Sequence, residues 1–189
     1  MRIFLYIFFI SSLILSCEKR VPLWTVQEYI IEQGKTEKGY VSESVGLRPS
    51  ESLAQLKCFS QAKIKLQNII RGKIEEDFKE FFNYSKEIEP YREKVKIFRE
   101  MMKEISTEII QKLSDQLEQE GIYVDRENSV LFCRISIKFD ENFYNVLREV
   151  SLDLIKTNYY KQIYNEDAPK KIEEYVEINL KRIKAGRNQ

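Results

Sequence analysis

Apolar side chains recur at three- and four-residue steps over two long stretches of the chain, as they do in helices that bury one face. The first stretch covers residues 53–82, and we expect Ser50 or Ser52 to cap its start. Its apolar face consists of Phe59, Ala62, Leu66, Ile69, Ile70, Phe78 and Phe81. The second stretch follows Pro90, and its apolar face consists of Tyr91, Val95, Phe98, Met102, Ile105, Ile109, Leu113 and Leu117. We predict a long helix for each stretch, the second ending at Gly121.

Between residues 122 and 139 the apolar period changes to two, which is the pattern of a strand with one buried face. One face of this run consists of Leu131, Cys133, Ile135, Ile137 and Phe139. The polar segment 125–128 separates the run from Ile122-Tyr123-Val124, so we predict a β-hairpin. The alternating segment 39–46 contains a glycine at each end and predicts another strand.

Two further amphipathic helices follow the hairpin. Asp140 can cap the first. Asp167-Ala168-Pro169 begins the second, whose apolar stripe must dock on its own domain or on a partner. Together these elements predict an α+β domain over residues 37–165, with a small antiparallel sheet of about three strands packed by long helices. Residues 166–189 are predicted to form an extra C-terminal helix and tail.

The first sixteen residues have the organisation of an export signal. Met1-Arg2 is positively charged, and residues 3–15 form an apolar stretch too short to span a membrane as a helix. We therefore predict a signal peptide over residues 1–16 and a lipidated N-terminus with a tether over residues 17–36. The alternative is an uncleaved membrane anchor, which Lys19 and Arg20 favour because positive charges at this position oppose export.

The run Leu13-Ile14-Leu15-Ser16-Cys17 resembles the lipobox of bacterial lipoproteins. This resemblance implies cleavage before Cys17 and a diacylglyceryl group on its sulfur, so that lipid chains attach the protein to a membrane. The following patch, Val21-Pro22-Leu23-Trp24, has no basic amphipathic helix around it. We expect Trp24 to pack on the domain rather than to insert at the lipid interface.

Several short segments are similar to the Lpp-twenty-like family of envelope lipoproteins. They are Pro22-Leu23-Trp24, the strand 39–46 that ends in Val-Gly, the helical segment 52–66 and the closing strand 130–137. The resemblance implies a surface or outer-membrane lipoprotein, in some members linked to the flagellum, without an enzymatic role. For this chain the resemblance implies a structural or interaction protein that contacts envelope partners or a second copy of itself. It also implies attachment to the outer membrane rather than to the inner membrane.

The composition mainly excludes classes of chemistry. The chain has 31 Lys and Arg against 30 Asp and Glu. Loss of Arg2 with the signal peptide leaves no net charge to attract nucleic acid. The chain also has no histidine, which excludes Ser-His-Asp and Cys-His catalysis and a Cys/His zinc site. From these exclusions and the family resemblance, we expect no nucleic-acid partner, enzyme activity, catalytic residue, cofactor or metal.

The carboxylates occur in runs that alternate with lysine, as they do on solvated helix faces. The runs are Glu75-Glu76-Asp77, Glu118 with Glu120, Glu166-Asp167 and Glu173-Glu174. A hydrolase that uses two of these acids is therefore the least favoured interpretation. The main alternative to an interaction protein is a ligand-binding module that holds an apolar or cell-wall-derived molecule between the helices and the sheet.

Cys133 falls on the apolar face of the predicted strand, and Cys58 flanks the apolar face of the first predicted helix. We expect two separate buried thiols, because free cysteine is among the most buried residue types. A disulfide between them is the alternative, and export would permit it.

The chain is rich in aromatic residues, with eleven Tyr and eleven Phe. An exposed contact patch could be formed by Tyr84, Tyr91, Tyr159, Tyr160 and Tyr164. Packing in the core is the default interpretation of such side chains.

Overall fold

The computed structural model describes residues 21–26, 29–32, 37–163 and 165–187. It confirms the α+β class. The strands are β1 (Tyr29–Glu32), β2 (Lys38–Gly46), β3 (Glu118–Asp125) and β4 (Val130–Lys138). The α-helices are α1 (Glu51–Phe81), α2 (Arg92–Lys112), α3 (Glu141–Ile155) and α4 (Ala168–Arg187). Short helical turns occur at Leu23–Val26, Tyr84–Ile88, Ser114–Gln116 and Tyr160–Ile163.

The four strands form one antiparallel sheet in the order β1-β2-β4-β3. The sequence predicts three of them. The fourth, β1, lies in the segment predicted as a tether, and it pairs with β2 so that Tyr29 is opposite Val41. Four residues are too few to show a clear alternation, so β1 is recognisable mainly through its partner strand.

The central strands β2 and β4 bury their common inner face. Val41 lies opposite Ile135, and Val45 lies opposite Leu131. The alternation predicted for the hairpin is confirmed, because the residues of its apolar face are all buried: Leu131, Cys133, Ile135, Ile137 and Phe139.

Helix α1 covers this inner face. The Ser50 hydroxyl oxygen accepts a hydrogen bond from the Leu53 N–H at 3.3 Å, which confirms one of the two predicted caps. The helix lies close to β2 at Gly39, where an added Cβ would be 3.4 Å from Ile69 Cγ2 and 3.2 Å from Phe139 Cζ. Small residues at Ala54, Cys58 and Ala62 are also buried along α1. Their size lets the helix approach the strands closely.

Helix α2 returns along the side of α1, and α3 packs beside α2. The prediction that this helix continues to Gly121 is wrong. The helix ends at Lys112, β3 begins at Glu118, and Gly121 lies inside β3 at an irregularity of the pairing with β4. The sequence favours a helix stop because glycine commonly ends helices. In the structure this glycine instead leaves room for the Trp24 ring, which passes 3.3 Å from the Cβ position.

The two C-terminal helices pack against each other. Asp140 caps α3 as predicted, accepting hydrogen bonds from the Asn142 and Phe143 N–H groups at 3.0 and 3.1 Å. The apolar stripe of α4 docks on its own domain, against α3 and α1. The Tyr175 ring of α4 lies 6.1 Å from the Tyr144 ring and 5.7 Å from the Phe81 ring, centre to centre.

Cys58 and Cys133 are joined by a disulfide, with a Cα–Cα distance of 6.1 Å. The expectation of two separate buried thiols is therefore wrong, although both residues are fully buried as predicted. The apolar pattern places Cys133 on the inner face of its strand and Cys58 beside the apolar face of its helix. The register of α1 against β4 decides that they meet, and that register depends on tertiary packing.

Candidate functional site

The predicted lipid-attachment residue, Cys17, lies outside the described residues. The nearest described segment is 21–26, which contains the short helical turn Leu23–Val26. The Ser42 hydroxyl of β2 donates a hydrogen bond to the Trp24 carbonyl oxygen at 2.8 Å. The Trp24 ring packs over Gly121, on the sheet face opposite α1. The predicted packing of Trp24 on the domain is confirmed, and this outer sheet face is where the N-terminal segment meets the domain.

A network of charged side chains lies next to this segment on the outer face. The Lys38 ammonium contacts Glu118 at 2.9 Å and Glu120 at 3.5 Å, and Lys138 also pairs with Glu118. The hydrogen bonds from Lys138 and Lys38 lower the pKa of Glu118 to about 2. The Ser136 hydroxyl donates to Glu120 at 2.6 Å. Glu118 is thus held as a carboxylate between two cations, which makes it a poor proton acceptor.

A second polar cluster is partly buried where β2 begins. Glu37 pairs with Lys73 of α1, and its other oxygen lies 3.3 Å from the Arg182 guanidinium of α4. Burial alone would raise the pKa of Glu37. The Lys73 and Arg182 charges outweigh burial and lower it. Lys73 also lies 4.7 Å from the centre of the Phe139 ring. These contacts tie α1 and α4 to the residue just before β2.

Buried Tyr144 and the half-buried Asp77 and Tyr175 lie near this cluster. Burial raises the pKa of the Asp77 carboxyl, and it raises the pKa of Tyr144 to about 12 and that of Tyr175 further still. The Tyr144 hydroxyl is buried and has no hydrogen-bond partner among the described residues. Both phenols therefore stay protonated at neutral pH, where neither can act as a general base.

Three of the four predicted carboxylate runs lie against cations, and Glu166-Asp167 makes no ion pair within the described residues. Glu75 and Glu76 contact Lys79 at 3.4 and 2.8 Å, and Glu173 contacts Arg148 at 3.5 Å. Glu118 and Glu120 share Lys38. Within the ranges that the structure describes, no three Cys, Asp or Glu side chains are grouped so that they could hold a metal ion.

The tyrosines singled out by the sequence occupy different environments. Tyr160 is buried, and Tyr84 packs on the Phe98 ring with the ring centres 4.9 Å apart. Tyr91 and Tyr159 are exposed. Tyr164 lies outside the described residues. At Tyr84 and Tyr160, packing explains the side chain better than an exposed contact does.

A groove between α1 and α2 was not predicted from the sequence. Its volume is about 670 Å³, and we call it the basic groove. Its lining consists of Arg71, Arg92, Glu93, Val95, Lys96, Arg99, Glu100 and Lys103. The signal that could have indicated it is the spacing of the four cations of α2, at positions 92, 96, 99 and 103. These positions fall on one side of a helix.

None of the described helices is long and apolar enough to cross a membrane. The chain was compared with protein-family models, with curated proteins and with solved structures, and no match was found in any of the three.

Proposed function

We propose that this chain is a lipid-anchored protein of the bacterial cell envelope, attached through Cys17, with a structural or protein-interaction role. The observation that carries the proposal is the N-terminal sequence. A positive Met1-Arg2 precedes the apolar residues 3–15, and Ser16-Cys17 follows at once. This order of charge, apolar stretch and small residue before cysteine is that of a lipoprotein signal.

The disulfide supports export. Disulfides persist in oxidising compartments such as the periplasm and are rare in the cytosol. The chain has three cysteines, and the bond between Cys58 and Cys133 uses two of them. Cys17 is then the odd cysteine, which in an exported protein calls for a separate explanation. Lipid attachment supplies one.

The membrane and the role are proposed from the family resemblance. The Lpp-twenty-like segments support a place in the outer membrane and contact with other envelope proteins or with a second copy of this chain. Two or more acyl chains on Cys17 would hold the protein stably, because each buried methylene contributes ~0.8 kcal/mol. The domain then needs no membrane-spanning helix of its own.

Incorporation of radiolabelled palmitate, combined with membrane fractionation, tests the anchor. The wild type should carry label in the membrane fraction, and Cys17→Ser should lose the label. The matched control is the double variant C58S/C133S, which removes the two other cysteines and should keep the label. Unlabelled wild type, or label retained by Cys17→Ser, would overturn the proposed anchor.

Chemical crosslinking in intact envelopes tests the interaction role. The wild type should form discrete crosslinked species, which mass spectrometry can assign to a partner or to a second copy. Cys17→Ser, released from the membrane or left as an uncleaved precursor, should lose them. A labelled, membrane-bound protein that gives no crosslinked species would contradict the interaction role while leaving the anchor intact.

A further inference from the structure

The basic groove has two walls that carry positive charge. Arg92, Lys96, Arg99 and Lys103 follow one another along α2, and Arg71 of α1 lies across the groove from them. A helix rises 1.5 Å per residue, so the stripe on α2 extends over about 16 Å. The cations therefore form an elongated array rather than a point.

Most of these cations lack an acidic partner. Lys96 contacts Glu100 at 3.9 Å, but Arg71, Arg92, Arg99 and Lys103 make no ion pair within the described part of the chain. Glu100, one of two acids in the lining, also accepts a hydrogen bond from the Tyr159 hydroxyl. Elsewhere, cations such as Lys38 and Lys73 are paired with carboxylates. Like charges at four-residue spacing destabilise a helix, and a bound anion would relieve that cost.

The side-chain types indicate the chemistry of the anion. Three of the five cations are arginines, whose planar guanidinium groups can donate two parallel hydrogen bonds to a phosphate. Lysines add point charges along the same line. The length of the array exceeds what a single phosphate can contact, so it fits several phosphate groups in succession.

The position of the groove separates it from the N-terminal attachment. Ile69 of α1 faces the sheet at Gly39. Arg71 is two residues further along, a rotation of about 200° around the helix. The groove therefore faces away from the sheet, whereas Trp24 and the N-terminal segment lie on the sheet's outer face. A concave site on the opposite side of the domain suits a chain-like anion better than the flat surface of a membrane.

We propose that the basic groove binds an elongated anion that carries successive phosphate groups. This site does not depend on lipid attachment at Cys17, so it can be tested whether or not the anchor is correct. Tripolyphosphate is a suitable probe because it presents linked phosphates without a sugar, base or lipid.

Isothermal titration of the detergent-solubilised full chain tests the site. Tripolyphosphate should bind, orthophosphate should bind at least about tenfold more weakly, and added NaCl should weaken both. The variant R92Q/R99Q, which removes two exposed arginines of α2, should bind tripolyphosphate about tenfold or more weakly than the wild type. A second variant, R71Q/K103Q, removes one cation from each wall and should show a similar loss.

The matched control is K57Q/K63Q, which removes two exposed cations of α1 outside the groove lining. It should keep the wild-type affinity. An equal loss in the control would mean that overall charge, not the groove, attracts the anion. Absence of tripolyphosphate binding would overturn the proposal. So would binding only to phosphatidylglycerol vesicles and not to phosphatidylcholine vesicles or tripolyphosphate, because the site would then recognise a membrane.

Discussion

Cys58 of α1 and Cys133 of β4 are bonded to each other within the interior, and neither side chain is exposed to solvent. The bond connects the helix that covers the sheet to one of the two central strands. The two cysteines are 75 positions apart in the sequence, and α2 and β3 lie between them. A crosslink of this span restricts the unfolded chain strongly, because the closed loop is long.

Removal of the disulfide should destabilise the fold. For a closed loop of this length, the loss expected from chain entropy is about 4 kcal/mol. C58A/C133A should therefore melt about 10 °C below the wild type in calorimetry. The melting temperature of Cys58→Ala alone should fall by a similar amount, because this substitution also removes the disulfide. Wild type that has been reduced under denaturing conditions should melt below untreated wild type. Equal melting temperatures for the two samples would contradict this prediction.

Trp24 should report any disturbance of the outer sheet face. It is the only tryptophan of the chain, and its Cζ2 lies 3.3 Å from the Cβ position of Gly121. Gly121→Val should push the indole off the sheet, so its fluorescence should shift to longer wavelength as it meets water. Gly46→Val is the control, because nothing lies within 4 Å of its Cβ position. An unshifted spectrum for Gly121→Val would mean that the indole does not rest on Gly121.

The ionised Asp77 carboxylate should destabilise the folded chain, whereas the ionised Glu37 carboxylate should stabilise it. Burial raises the pKa of Asp77, so the folded chain binds the proton more tightly than the unfolded chain does. The free energy of unfolding therefore falls as pH rises from the unfolded pKa to the folded pKa. Asp77→Asn should therefore melt at a higher temperature than the wild type at pH 7. The gain should shrink as pH falls towards the unfolded pKa of about 3.9.

Glu37→Gln provides the comparison. Burial opposes ionisation of Glu37, but Lys73 and Arg182 outweigh it and the pKa is lowered. This carboxylate contributes stability above the unfolded pKa of about 4.3, and the contribution is lost as pH falls through the folded pKa. Glu37→Gln should therefore melt at a lower temperature at pH 7, with little difference at low pH. Melting curves from pH 3 to 8 check both variants, and shifts of the same sign would refute the assignment.

Local chemistry made much of the fold predictable. Ser50 and Asp140 cap the helices that the sequence assigns to them, because a short polar side chain can accept from the free N–H groups of a first turn. The alternation in β4 was readable because one face is buried by α1 and the other is not. The prediction at Gly121 is wrong because glycine commonly ends helices, whereas here it leaves room for a ring above a strand.

The candidate sites depend on distances that a pattern does not contain. The stripe at 92, 96, 99 and 103 is visible in the sequence, but Arg71 joins it only because α1 and α2 pack side by side. Likewise, Glu37 meets Lys73 and Arg182 because α1 packs on β2 and α4 packs on α1. Periodicity assigns each residue to a face, and tertiary packing decides which faces meet.

The order of the strands also sets the order in which the chain can fold during synthesis. Val41 pairs with Ile135, so the centre of the sheet closes a loop of about ninety residues. Contacts this distant in sequence form slowly, whereas the neighbouring helices α1 and α2 can pair early. Until β4 leaves the ribosome, β2 has an open edge and Cys58 has no bonding partner. A nascent chain that stalls before residue 130 would therefore carry both an unpaired strand edge and a free thiol, the features that promote misassembly with other chains.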